Sequence, residues 1–321
     1  MIKINVSPKV KDNFYNQIIQ NFWNSRTKRY SKKFEKKEDK KLVFSKSLSE
    51  INRIIKGKLK GYDPDIKLEK LILADYKYIL KLVDYINKNK KRTKLTKNNK
   101  DIFLTLYSRL KNTDFIKDLG IKVCPYCNRN YIFNFTKSKK QEATAQLDHF
   151  FDKKTYPYLA VSLYNLVPSC STCNQRKSTK QEDIFYPYEE SFNDSVKFTV
   201  KGIKTRDELR KEDLDFFDES RIELDFDIKK DKSKVEKHIE IFNIENLYNE
   251  HKDIVTELLQ TRVIYSDDYI DNLLNDYEGK LFNNREDLLR LITHGYVKDE
   301  DLNKRPLSKL IKDISDELDL I

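Results

Sequence analysis

The sequence lacks any long hydrophobic run, because no apolar stretch approaches the roughly eighteen residues that a membrane-spanning helix needs. Residues 1–8 lack the apolar segment and the small-residue cleavage site of a secretory signal. Internal repeats are absent as well. These absences argue against a membrane protein and against a secreted one, so we expect a cytoplasmic protein that has no membrane partner.

Cysteine is scarce, and the four cysteines form two Cys-x-x-Cys pairs, Cys124/Cys127 and Cys170/Cys173. In a cytosolic protein such pairs indicate zinc or redox chemistry rather than disulfides. A redox pair would follow a strand and open a helix, whereas Cys127 precedes a strand-like segment, and the second pair would have no role. We therefore expect one zinc ion bound by four thiolates. Because such a site leaves no open position, its zinc would be structural.

Charge is distributed unevenly along the 321 residues. Residues 1–180 contain 41 Lys and Arg against 16 Asp and Glu, whereas residues 181–321 contain 22 against 36. An AT-rich genome inflates lysine everywhere but does not explain this difference. A cationic half attracts phosphates, so we expect a nucleic-acid surface there and a protein partner for the acidic half. Two basic stretches, residues 26–41 and 88–100, are candidates, with a solvated surface as the alternative for each.

The patterning of apolar residues predicts three regions. Residues 1–118 have apolar side chains at helical spacing and predict a basic helical region. Gly120 indicates a helix end and a boundary. Residues 119–190 contain both cysteine pairs and short strand-like segments, and residues 191–321 predict an acidic, mostly helical region with a short strand pair. With 38% hydrophobic residues to form a core, the expected fold class is α+β, mainly α.

The segment between the cysteine pairs contains residues suited to phosphodiester hydrolysis, which needs a base for the nucleophile and a cation for the leaving oxygen. His149 can act as the base, because imidazole titrates near neutral pH. Asp148 precedes it at a strand end and points to the opposite face, where its oxygen can bind Mg²⁺ or a similar ion. Asn174 supplies a second oxygen from the following helix.

Three further polar residues complete the candidate site. The amide of Asn165 is suited to hydrogen-bond the loop backbone and so to fix the orientation of His149. Arg176 and Lys177 follow within one helical turn and can hold phosphate oxygens. The alternative for His149 is a structural histidine without a catalytic role.

The order of these residues resembles the HNH family of His-Me finger nucleases. Asn165 precedes Asn174 by nine positions, the second cysteine pair lies between them and Lys177 follows, as in the family's N-x₄-C-x₂-C-[NH]-x₂-K signature. The resemblance covers residues 124–177. It implies a small zinc-stabilised ββα-metal module flanked by helical regions. It also implies that the histidine is the general base and that the aspartate and second asparagine bind a catalytic Mg²⁺ or Mn²⁺.

A closer resemblance rests on the run Leu147-Asp-His-Phe-Phe and on Tyr186-Pro-Tyr188. Both are similar to segments of the HNH nuclease subunits of Septu-type anti-phage systems, including retron-associated ones. The chain departs from these subunits at Asp152-Lys-Lys, where a proline is expected. The resemblance implies a nuclease effector of antiviral defence with an ATPase partner of the ABC/SMC kind.

The sequence therefore predicts an HNH endonuclease that hydrolyses DNA phosphodiester bonds with a divalent metal ion. Two alternatives stay open. An RNA-cleaving or tRNA-cleaving HNH toxin would keep the chemistry and change the substrate, and a non-catalytic zinc module would only bind nucleic acid or a partner. The sequence also leaves open whether the chain forms a homo-oligomer.

Overall fold

The computed structural model describes residues 2–24, 29–30, 46–138, 140–180, 182–201 and 218–321. Most of the basic stretch 26–41 lies outside the described residues. Within them the chain is mainly helical, with four two-stranded antiparallel sheets, which confirms the predicted class. Across these same ranges, no helix has both the length and the apolar character needed to cross a bilayer.

The described part of the first region is helical, as its apolar spacing predicts. Its helices are α1 Pro8–Ile19, α2 Leu48–Leu59, α3 Leu68–Ile72, α4 Tyr76–Lys88, α5 Lys90–Thr93, α6 Lys97–Ser108 and α7 Asn112–Leu119, and its small sheet pairs β1 Trp23–Asn24 with β2 Arg29–Tyr30. Four of the helices begin after residues whose side chains accept a hydrogen bond from the first turn, namely Ser7, Ser47, Asp75 and Thr96. These N-caps satisfy backbone donors that a helix start leaves free.

The central region contains two hairpins and a short helix. They are β3 Asn134–Lys137 with β4 Lys140–Ala143, β5 Gln146–His149 with β6 Leu166–Ser169, and α8 Ser171–Lys177. Gly120 ends α7 in the left-handed conformation, with φ of +67°, as expected of a glycine C-cap. Cys170 is the N-cap of α8, so the helix begins directly after β6 and packs against β5. β5, β6 and α8 therefore form a ββα unit.

The C-terminal region contains the expected strand pair, followed by helices. The elements are β7 Val196–Val200, β8 Leu224–Ile228, α9 Lys232–Phe242, α10 Ile244–Asn249, α11 Lys252–Ile264, α12 Asp267–Tyr277, α13 Arg285–Ile292 and α14 Ser308–Glu317. Helix α14 lies along β7, where the carboxylate of Asp313 accepts a hydrogen bond from the backbone N–H of Phe198 (2.9 Å). Asp313 is also paired with Lys309 at 2.6 Å, and both side chains are almost completely buried. The ammonium offsets the cost of burying the carboxylate.

The first cysteine turn, residues 124–127, is fixed by side chains from the C-terminal region. The imidazole Nε2 of His238 is 2.9 Å from the carbonyl oxygen of Tyr126, and the hydroxyl of Tyr248 donates a hydrogen bond to the carbonyl of Cys127 (2.7 Å). Among the described residues, the three predicted regions share one hydrophobic core. The position of the cysteine turn therefore depends on residues more than one hundred positions away in the chain.

Asn128 connects this turn to the segment before α14. It is fully buried, and its φ of +50° is left-handed. Its amide nitrogen donates to the carbonyl of Leu302 (2.8 Å), and its amide oxygen accepts from the backbone N–H of Lys309 (2.9 Å). Its own carbonyl accepts from the N–H of Leu307 (2.7 Å). One asparagine thus satisfies two buried backbone groups and adopts the backbone conformation that the turn requires.

We predict that Asn128→Ala lowers the free energy of unfolding by about 3 kcal/mol, because it leaves two buried backbone groups unpaired and strains a left-handed residue. Asn128→Gly should cost less, since glycine adopts the same φ without strain. Urea denaturation of the full chain measures both. Equal losses of unfolding free energy in the two variants would show that the left-handed conformation of residue 128 does not contribute to the cost of Asn128→Ala.

Candidate metal and catalytic centre

The four cysteines form one buried cluster. Their Sγ atoms all lie within 4.8 Å of one another, although the two pairs are separated by 42 residues of sequence. The first pair belongs to the turn that precedes β3, and the second pair belongs to the N-cap and first turn of α8. Tetrahedral zinc with Zn–S bonds of about 2.3 Å requires sulfurs roughly 3.8 Å apart, so this cluster can hold a metal ion such as zinc.

The surroundings of the sulfurs suit thiolate ligands. The backbone N–H of Cys170 donates to Sγ of Cys124 (3.3 Å), the N–H of Arg129 donates to Sγ of Cys127 (3.4 Å), and the side-chain amide of Asn130 donates to Sγ of Cys170 (3.3 Å). The hydrogen bond with Cys124 lowers the pKa of Cys127 and of Cys170, whereas burial raises the pKa of Cys124 and the hydrogen bond with Cys124 raises the pKa of Cys173. The three N–H donors favour the negative thiolates that bind a cation.

Asp148 lies on the face of β5 that α8 covers and is only 3% exposed. Its Oδ2 accepts a hydrogen bond from the hydroxyl of Tyr126 (2.7 Å) and lies 3.0 Å from the ammonium of Lys177. Burial raises the pKa of Asp148, and Lys177 and Tyr126 oppose this shift. Both contacts use Oδ2. Among the described residues Oδ1 accepts no hydrogen bond, so one carboxylate oxygen is free to bind a cation.

His149 follows Asp148 on β5 and points away from α8. Its Nε2 lies 3.0 Å from the carbonyl oxygen of Ala160, and its ring packs edge-on against Tyr107 with centroids 4.5 Å apart. A carbonyl can only accept, so Nε2 carries the proton and the lone pair of the neutral ring is on Nδ1. Burial, assisted by the charge of Lys153, lowers the pKa of His149 to about 4. The imidazole is therefore neutral at pH 7 and can accept a proton at Nδ1.

Asn165 is completely buried and holds the loop that follows His149. Its Oδ1 accepts from the N–H of Phe151 (2.8 Å), and its Nδ2 donates to the carbonyls of Phe151 and Leu159, both at 3.0 Å. Ala160, the partner of His149, directly follows Leu159. The amide therefore makes loop-backbone contacts of the kind expected from the sequence, and its effect on the histidine stays a prediction.

Asn174 lies on α8 and contacts the first residue of β5. Its Nδ2 donates to Oε1 of Gln146 at 2.6 Å, and among the described residues its Oδ1 makes no hydrogen bond. Gln146 and Asp148 are two positions apart on β5 and so share the face that α8 covers. Asn174 and Asp148 thus both lie at the interface between α8 and β5. The structure brings the two predicted metal ligands to one side of β5 and the histidine to the other.

Lys177 does not have the environment expected of a phosphate-binding residue. Its side chain is 2% exposed, and its ammonium lies 3.1 and 3.0 Å from the carbonyl oxygens of His149 and Phe150, in addition to its pair with Asp148. These contacts use all three N–H donors, so none is left for a phosphate. Tertiary packing makes Lys177 a link between α8 and the end of β5. Arg176, by contrast, is exposed and can contact a ligand.

Sequence reasoning missed four residues of this site. Tyr126 binds Asp148, Gln146 binds Asn174, Tyr107 packs against His149, and the ammonium of Lys153 lies 4.2 Å from the centre of the Tyr107 ring. Tyr126 lies between the two cysteines of the first pair, and this position could have marked it as a residue of the site. Tyr107 lies on α6, far from the motif in sequence, and no local pattern marked it.

The site thus combines a four-cysteine cluster with a ββα unit whose strand presents adjacent aspartate and histidine residues. The Septu protein PtuB of Bacillus thuringiensis is 31% identical to this chain over 87 residues. The matched segment covers 26% of this chain and 31% of that relative, so the chain spans about a third of the curated protein it matches. The predicted resemblance to Septu defence proteins is confirmed. No family model matches the chain, and no solved structure matches it.

We predict that Cys173→Ser removes the bound zinc and unfolds the central region, because metal binding at such a site contributes directly to the free energy of folding. Zinc content measured by mass spectrometry should fall to background, and urea denaturation should show a large loss of stability. Ser171→Ala, an exposed change on the same helix, is the matched control and should alter neither. A stable, zinc-free Cys173→Ser protein would contradict a structural zinc site.

Proposed function

We propose that this protein is a metal-dependent HNH-type endonuclease that hydrolyses phosphodiester bonds in DNA. The observation that carries the proposal is that Asp148 and His149 occupy adjacent positions at the end of β5, in a ββα unit joined to a cluster of four thiols. The hydrogen bond between Nε2 of His149 and the carbonyl of Ala160 fixes the tautomer and leaves Nδ1 as the base.

In this mechanism Nδ1 of His149 takes a proton from a water molecule as the water oxygen attacks phosphorus. The bond between phosphorus and the leaving oxygen then breaks, and the imidazolium is stabilised by the carbonyl of Ala160. Asp148, through its free Oδ1, and Asn174, through its Oδ1, would hold Mg²⁺ or Mn²⁺. Such an ion supplies positive charge that offsets the charge developing on the phosphate. The pairing of Lys177 with Asp148 favours the ionised carboxylate and opposes the rise in the pKa of Asp148 that burial causes.

A cationic groove supports nucleic acid as the substrate. It has a volume of about 780 Å³ and lies along α2 and the segment before α3. Arg53, Lys56, Lys60 and Lys67 line it against the single carboxylate of Asp65, and all four cations are exposed. This surface lies in the half of the chain with the net positive charge, where counterion release on phosphate binding contributes affinity.

The similarity to a Septu protein suggests that the nuclease acts in anti-phage defence. By the same resemblance, we propose that it works with an ATPase partner of the ABC/SMC kind and that the acidic C-terminal region contacts this partner. Co-purification of the native chain followed by identification of bound proteins tests the partner. Recovery of the chain alone from its own cells would contradict this part of the proposal without affecting the nuclease assignment.

We predict that His149→Ala lowers the rate of DNA cleavage by about 10²- to 10⁴-fold, the usual contribution of a general base. Cleavage of plasmid and linear DNA with Mg²⁺ or Mn²⁺ measures the effect, and zinc content and circular dichroism check that the fold is intact. His294→Asn is the matched control, because His294 is exposed and far from the site in sequence. Its φ of +56° is left-handed, and asparagine adopts this conformation readily. Undiminished cleavage by His149→Ala would overturn the assignment.

The second candidate is a non-catalytic zinc module that binds nucleic acid. The cationic groove supports it, because binding of phosphates there needs no catalytic residue. It predicts salt-sensitive binding without any cleavage dependent on Mg²⁺ or Mn²⁺, and it makes Asp148 and Asn174 dispensable. A third candidate, an RNA-cleaving or tRNA-cleaving toxin, shares the catalytic residues. Parallel cleavage assays with duplex DNA, single strands and tRNA distinguish the three.

For the cationic groove, we predict that the double variant Lys56→Gln/Lys60→Gln weakens DNA binding equally for all sequences. If each lysine neutralises one phosphate, the slope of log affinity against log salt should fall by about 0.9 for each. Lys229→Gln/Lys230→Gln removes the same charge from two exposed lysines of the acidic half and is the matched control. An unchanged slope in the first variant would exclude the groove from the binding surface.

A further inference from the structure

Three aromatic side chains form an exposed stripe between the first cysteine turn and β5. Tyr131, Phe133 and Phe135 are 43%, 46% and 42% exposed, and they alternate with Ile132, which is buried, and Asn134, which is half-buried. In an extended segment alternate side chains share a face, so the three rings lie on the same outer face. The rings of Tyr131 and Phe133 are stacked, with centroids 4.4 Å apart and planes 22° apart.

The stripe is held firmly by backbone contacts. The N–H of Phe133 donates to the hydroxyl of Thr144 (2.8 Å), and its carbonyl accepts from the N–H of Thr144 (2.9 Å). Tyr131 forms a β-bridge with Val123. Single exposed apolar residues are common, but these three neighbouring rings on an extended segment leave an apolar surface that the described residues do not cover.

The segments on either side of the stripe join it to the cysteine cluster and to β5. Tyr131 directly follows Asn130, whose amide contacts Sγ of Cys170. At its other end the hairpin leads through residues 144 and 145 into β5, whose first residue, Gln146, binds Asn174. A ligand on the stripe would therefore extend toward α8 and β5.

The charge around the stripe indicates what covers it. Lys137 continues the same face of β3 beyond Phe135, and Glu142 lies across from Phe135 on β4. Over residues 129–144, which contain the stripe and the β3–β4 hairpin, the chain has four Lys and Arg against one Glu. Stacked rings within a cationic region match unpaired nucleobases joined by phosphates, because every base has an aromatic face and every linkage is an anion.

We propose that Tyr131, Phe133 and Phe135 form a stacking platform for unpaired bases, so that the substrate is nucleic acid with a single-stranded segment. This proposal rests on the proposed nuclease function and adds the strand preference to it. The rings would bind bases beside the ββα unit, on a segment that leads through the β3–β4 hairpin into β5, the strand that contains Asp148 and His149.

The test measures binding rather than cleavage, so that it does not depend on catalysis. The full chain with His149→Ala is titrated with fluorescein-labelled oligothymidylate, oligouridylate and a duplex of equal length, and anisotropy reports the affinity. Adding Phe133→Ala should weaken binding of the single strands by roughly tenfold or more and leave duplex binding unchanged. Oligothymidylate and oligouridylate compared in this way show whether the platform prefers DNA or RNA.

Two further variants distinguish base stacking from a general hydrophobic contact with the stripe. Phe133→Leu keeps most of the apolar area but removes the ring, so it should lose binding as Phe133→Ala does, whereas Phe133→Trp should retain it. Tyr269→Ala is the matched control. Tyr269 is 47% exposed and stacked on Tyr265, but residues 261–280 have five acidic against two basic residues, and its loss should have no effect.

Unchanged single-strand affinity in Phe133→Ala, or full affinity in Phe133→Leu, would overturn the platform. So would a wild-type chain that is dimeric in sedimentation and becomes monomeric in Phe133→Ala, because the stripe would then be a contact between two copies. The nuclease proposal fails differently, namely if the wild-type chain cleaves no nucleic acid with Mg²⁺ or Mn²⁺. The binding and cleavage assays therefore distinguish failure of the platform from failure of the nuclease proposal.

Discussion

The contact among four buried thiols is the constraint on which the rest of the site depends. It brings a turn before β3 and the start of α8 to within 4.8 Å of each other across 42 intervening residues. Those intervening residues include both hairpins, so closing this loop fixes where β5 and β6 begin and end. Four thiols at this separation repel one another once ionised, and a bound cation together with three N–H donors removes that repulsion.

A second constraint acts within the ββα unit, where Asp148 and Lys177 are almost completely buried as a pair. Removing either partner would leave an uncompensated buried charge, a loss of about 3–5 kcal/mol in comparable cases. The ammonium also binds the carbonyls of His149 and Phe150, so the same side chain fixes the end of β5. Lys177 of α8 thereby fixes the positions of the adjacent Asp148 and His149. Asn165 holds the following loop from the other side.

The rest of the chain supports this centre from a distance. Side chains of α9 and α10 bind two carbonyls of the first cysteine turn, and Asn128 binds the segment before α14. The acidic C-terminal region is thus part of the scaffold of the cysteine cluster as well as a candidate surface for a partner. The charged side chains of the cationic groove and the rings of the aromatic stripe are exposed instead.

The sequence by itself determined much of the local structure and the identity of the candidate site. The helical spacing of apolar residues, the glycine at position 120 and the two cysteine pairs depend on interactions within a few residues, and the structure agrees with them. The sequence could not predict that Lys177 is buried or that the aromatic stripe of residues 131–135 faces outward. Burial depends on which distant segments pack against a side chain. Only the tertiary structure decided that Tyr126 contacts Asp148, that Tyr107 covers His149 and that Asn128 meets Lys309, because each contact joins residues that are far apart in the sequence.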